Sequence, residues 1–106
     1  MRQKFHGYST AEQANKIYRA LNPNANDTDI ISQPYNMSDI FNLLPNSITY
    51  NGRRGDLCIT PVDIAYFSVG GGWEHILVHF EPIDYNEDIY DAFYKMIKWV
   101  KENKLM

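Results

Sequence analysis

Ser47-Ile48-Thr49-Tyr50-Asn51-Gly52-Arg53-Arg54-Gly55-Asp56-Leu57-Cys58-Ile59-Thr60 decides the fold, because it changes the hydrophobic period to two and turns back on itself. Ser47–Tyr50 is β-prone, and Asn51-Gly52 follows at once. Asn-Gly between two strands is the strongest short hairpin signal, since a type I′ turn needs positive φ at both central residues. The return strand is expected from about Arg54 to Thr60, where Pro61 breaks it. Downstream, Val62–Val69 and Trp73–Phe80 read as two more strands joined by Gly70-Gly71-Gly72. Together these segments predict a four-stranded antiparallel meander.

Upstream the period is helical. Ser9-Thr10-Ala11-Glu12 has the form of a capping box, and Ala11, Ala14, Ile17, Tyr18 and Leu21 share one stripe. Asn22-Pro23 ends that helix, because the residue before a proline is pushed out of the helical region. Asn22–Asn36 is rich in Asn, Asp and Pro, and is either a functional loop or holds a short extended piece at Ile30-Ile31. A second, two-turn helix is expected where Met37, Ile40, Phe41 and Leu44 recur, ending at Pro45. The C-terminal helix carries the clearest pattern: Ile89, Phe93, Met96, Ile97 and Val100 form its buried stripe, widened by Ala92 and Trp99. Acids at Glu87, Asp88 and Asp91 and lysines at 98, 101 and 104 suit its dipole, with Asp84 or Asn86 as cap. The fold class is therefore α+β: two N-terminal helices, a four-stranded antiparallel sheet, and a long C-terminal helix packed on one face.

With 106 residues, the chain suits one domain. No apolar run approaches the ~18–20 residues of a membrane-spanning helix. The first residues lack the apolar stretch of a secretory signal, and the single Cys58 cannot form an internal disulfide; both lead us to expect a cytoplasmic protein. A net charge of −3 argues against direct binding to nucleic acid or an anionic membrane.

Several chemistries fail on geometry. His75 and His79 lie on one strand, where i and i+4 side chains stand roughly 13 Å apart, too far to share a metal. Cys58 sits inside a strand without a helix terminus to activate it, so a small buried hydrophobe is expected there rather than a nucleophile. Gly70–Gly72 leads into a strand and cannot cradle phosphate at a helix start. Arg54-Gly55-Asp56 spells an adhesion tripeptide, read here as turn chemistry. No cofactor and no metal are expected, and the chain reads as no enzyme.

What stands out is the aromatic content, 14% with eight tyrosines. Val62, Ile64 and Tyr66 alternate with Ala65, Phe67 and Val69, so both faces of that strand are apolar and both ask for cover. On Trp73–Phe80, Ile76, Val78 and Phe80 are expected inside, with Trp73, His75, Leu77 and His79 on a mixed outer face. One helix covers one face only; the N-terminal helices or a partner protein must cover the other. Glu81, Asp84, Glu87, Asp88 and Asp91 form an acidic run flanked by Tyr85 and Tyr90, a surface able to occupy a basic groove on another protein. The expected partner-binding residues are those acids with Trp73, Tyr85, Tyr90 and Tyr94, since Tyr and Trp dominate interface hot spots. Alanine at Trp73 and at Tyr90 is expected to abolish partner binding and spare the fold.

Leu44-Pro45, Ile48–Gly52, Leu57-Cys58-Ile59 and Asp91-Ala92-Phe93-Tyr94-Lys95-Met96-Ile97-Lys98-Trp99-Val100 together resemble small phage- and prophage-encoded accessory proteins. In that group a strand opening on Leu-Pro leads to a short sheet and a closing helix of this pattern. The resemblance implies a small intracellular accessory protein of a mobile element, a group that includes inhibitors of bacterial defence nucleases such as anti-CRISPR proteins. The expected function is a non-enzymatic protein-binding module, an inhibitor of a host nucleic-acid-handling protein. Two alternatives stand beside it: a homodimer packed through His75, Leu77 and His79, and a small enzyme using His75 or His79 as general base.

Overall fold

The computed structural model describes residues 7–25, 34–60, 63–70, 73–81 and 88–106; the side chains of Val69, Trp73, Glu74 and His75 also lie outside the described set. Its elements run α1 (Ala11–Leu21), α2 (Met37–Leu43), β1 (Ser47–Tyr50), β2 (Arg53–Ile59), β3 (Ile64–Gly70), β4 (Trp73–Phe80) and α3 (Ile89–Glu102). The fold is α+β, with the strands in sequence order β1-β2-β3-β4 and every neighbouring pair antiparallel. Asn51 and Gly52 take φ of 52° and 77°, the left-handed pair that the Asn-Gly hairpin needs. Arg54-Gly55-Asp56 lies within β2, paired with Ser47–Thr49 of β1, so the tripeptide is paired strand and not turn.

The core is made where α3 crosses the inner face of the sheet. Tyr90, Ala92, Phe93, Met96, Ile97 and Val100 are fully buried there, against Ile64 and Tyr66 of β3, Ile17 of α1 and Ile40 of α2. Burying each large apolar side chain contributes about 1.5–3 kcal/mol, so this stripe dominates the stability of so small a chain. Tyr66 also sends its hydroxyl to the Pro45 carbonyl at 2.8 Å, fixing the entry into β1 from below. On α2, Ile40 and Leu44 are buried but Phe41 is half exposed, so the helix turns a narrower stripe inward than expected.

α2 starts at Met37 behind its cap Asn36, as the spacing predicts, but the caps of α1 and α3 differ from the expected ones by a residue or more. Thr10, not Ser9, caps α1, accepting from the Gln13 amide while the Gln13 side chain accepts from the Thr10 amide. Ser9 is instead buried and exchanges two hydrogen bonds with Tyr35, of 2.8 and 2.9 Å. Asp88 caps α3 with Asp91 as its box partner; Asp84 and Asn86, the expected caps, lie outside the described residues. Gln13 spans both starts: its Nε2 donates to Asp88 Oδ1 at 2.7 Å and to Asp91 Oδ2 at 3.2 Å. One amide side chain therefore satisfies polar groups at the N-termini of α1 and α3 together.

Candidate functional site

The outer face of the sheet follows from the register. Tyr66 pairs with Val78, but Phe67 pairs with Ile76, which leaves Leu77 as the extra residue of a β-bulge. The bulge reverses the alternation expected for β4. Leu77 turns inward and packs on the core, while Ile76 turns outward with 57% of its surface exposed. Val78 and Phe80 keep their expected inner positions. Gly55 makes room for Leu77: a Cβ at that position would stand 2.5 Å from Leu77 Cδ1 and 3.3 Å from Tyr66 Cβ.

Cys58, Ala65 and His79 form one row across β2, β3 and β4, and Phe67 stands beside Ile76 in the next pairing on. Ala65 is buried, Phe67 half-buried, and Cys58 exposed. The expectation of a buried Cys58 is thus corrected: the bulk of the core lies on the opposite face, and a cysteine on the outer face of β2 meets solvent. His79 Nε2 lies 3.0 Å from Asp63 Oδ2, and Thr60 donates its hydroxyl to Asp63 Oδ1. This polar group closes the β2–β3 connection, with Thr60 and Asp63 also paired through their backbones.

The residues expected at a partner surface are placed as follows. Tyr90 is fully buried, its hydroxyl donating to the Gly7 carbonyl at 2.8 Å, and burial beside Asp88 pushes its pKa up to about 12. It is a core residue and not an open ring on a partner surface, so the expectation that its truncation leaves the fold untouched is corrected to one of lost stability. Asp88 is 6% exposed and, like Asp91, is held by capping bonds, so neither carboxylate is presented as open acidic surface. Tyr94 is half-buried on α3 with Lys98 Nζ 5.7 Å from its ring centre, and Glu81 is exposed. Asp84, Tyr85, Glu87 and the Trp73 side chain lie outside the described residues.

Burial also raises the pKa of Tyr66, and that of Tyr35, where Asp39 adds to the effect. Among the described residues no group of His, Cys, Asp and Glu is arranged to hold a metal, and no helix is long and apolar enough to cross a membrane. Ile76, Asp63 and Gln13 were missed from the sequence. Asp63 falls inside the expected strand Val62–Val69, where nothing announces its pairing with Thr60 and His79, and β3 begins only at Ile64; Ile76 requires knowledge of the bulge. No family model, curated protein or solved structure matches the chain.

Proposed function

We propose that this chain is a non-enzymatic protein-binding module that engages its partner through the outer sheet face centred on Ile76. The exposure of Ile76, a large aliphatic side chain beside Phe67 on a face no described helix covers, carries the reading. An exposed apolar centre rimmed by Arg54, Asp56, Asp63 and His79 has the apolar-core, polar-rim anatomy of recognition surfaces. The sheet face is favoured over the acidic run because Asp88, Tyr90 and Asp91 already serve the fold. The partner we assign is a host nucleic-acid-handling protein, inhibited by an accessory protein of a mobile element; the resemblance of Leu44-Pro45, Ile48–Gly52, Leu57–Ile59 and Asp91–Val100 to that group supports this.

Affinity capture from a host lysate with the natural chain and with Ile76→Asp tests the reading. The natural chain is expected to retain a protein that Ile76→Asp loses while both keep the same circular dichroism. Equal capture by the two would remove the sheet face from the interface. Alkylation of Cys58 gives an independent readout, since a partner on this face shields a thiol that is open in the free protein.

A second reading is a homodimer through the same face, favoured by its mixed charges, with Arg54 and Asp56 3.6 Å apart on one strand. Leu77 is no part of that surface, because the bulge turns it to the core. Light scattering at high concentration separates the readings: a monomer there excludes the dimer.

A further inference from the structure

On the helical side of the molecule, Lys95, Lys98, Trp99 and Glu102 recur at the spacing of one α3 face. With Phe80 of β4 they line an open groove of about 220 Å³. The groove has an aromatic floor: Phe80 and Trp99 are half-buried, and an edge contact with Tyr50, centroids 4.9 Å apart, fixes the Trp99 ring. Its charges are graded along the helix. Lys95 and Lys98 stand toward one end and Glu102 at the other, about 10 Å of helix rise from first to last. Lys98 is steered by the Tyr94 ring.

The size of the groove limits its occupant. Small-molecule sites usually offer ~300–1,000 Å³, whereas this space matches one large side chain of a protein partner. The sign of the local charge selects further. Lys95, Lys98, Lys101 and Lys104 place four of the ten Lys and Arg residues in the last twelve positions of a chain whose net charge is −3. That local excess attracts a short acidic segment, while the overall negative charge repels a long polyanion.

We propose that this groove docks an acidic peptide segment of a protein partner, one aromatic side chain seated between Phe80 and Trp99 and the neighbouring carboxylate turned toward Lys98. Glu102 sets the direction by repelling acid from its end. The proposal stands apart from the outer sheet face, which lies across the sheet from α3.

A capped peptide Asp-Glu-Phe-Asp-Glu is the probe, titrated into the full chain while the indole N–H resonance of Trp99 is followed by NMR. A saturable shift of Trp99 is expected, weakened about tenfold or more by Lys98→Glu and by replacing the peptide Phe with Ala. Ile76→Asp is expected to leave this binding unchanged, so failure of the sheet-face reading and failure of the groove show up in different variants. A Trp99 resonance that does not move, equal binding by a correctly folded Lys98→Glu, or tighter binding of oligothymidylate than of the peptide would each overturn the proposal.

Discussion

Tyr90 in the first turn of α3 fastens the Gly7 carbonyl with a 2.8 Å hydrogen bond across 83 positions of sequence. The ring is fully buried, so the contact combines a packed aromatic with a satisfied hydroxyl. Tyr90→Phe is expected to lower unfolding free energy by about 1 kcal/mol, the net worth of an ordinary hydrogen bond. Tyr90→Ala opens a cavity as well and should cost ~3–5 kcal/mol. Urea unfolding of the two variants checks the gap between them.

Alkaline pH should unfold the protein through its tyrosines. A phenol whose folded pKa is raised above its unfolded value of about 10 stays protonated longer in the native state. The native state then binds more protons than the unfolded one, and stability falls as pH rises. For Tyr90 the window runs from pH 10 to about 12, and Tyr66 and Tyr35 shift in the same direction. The stabilisation is intact below pH 10 and lost as pH passes through the folded values. Phenolate absorbance should show a group of tyrosines titrating late and together with loss of ellipticity; smooth titration of all eight near their ordinary value would contradict this.

Gly55→Ala should destabilise by ~1–3 kcal/mol, because its new methyl collides with Leu77 Cδ1, which must leave its place beside Tyr66. In a Leu77→Ala background the same change should cost much less. A double-mutant cycle measured by thermal unfolding reads the coupling directly, and additive effects would show that Gly55 and Leu77 do not touch.

Removing the Gln13 side chain should loosen two helices. Gln13→Ala takes away a cap at α1 and a donor to both Asp88 and Asp91 at α3. Amide exchange should quicken in the first turns of α1 and α3 together. Asp88→Ala should cost ~0.5–2 kcal/mol through the lost cap. Faster exchange confined to α1 would deny the bridge between the helices.

Much of this fold is legible in the chain. Asn51-Gly52 marks the hairpin because positive φ is a local demand, and the Ile89–Val100 stripe marks α3 because burial repeats with the helical turn. Cap identity is less legible: Ser9, Thr10, Glu12 and Gln13 all suit a capping box, and only the pairing of Ser9 with Tyr35 selects Thr10 and Gln13. Ile76 escapes because alternation alone puts it inside with Val78 and Phe80. A single unpaired residue between the neighbouring strands β3 and β4 reverses it, and nothing local in Ile76-Leu77 announces that. Tyr90 escapes for another reason: a tyrosine suits cores and interfaces equally, so its type is silent on which it serves.

The bulge at Leu77 has a consequence for β4 itself, which ends the described sheet order and so leaves one side of its backbone without a strand neighbour. Smooth, apolar rims of this kind invite runaway stacking of chain upon chain, and a bulge that bends and twists the strand spoils the template. Deleting Leu77 would restore an unbroken ladder to β3, and with it a straight border on which fibres could nucleate.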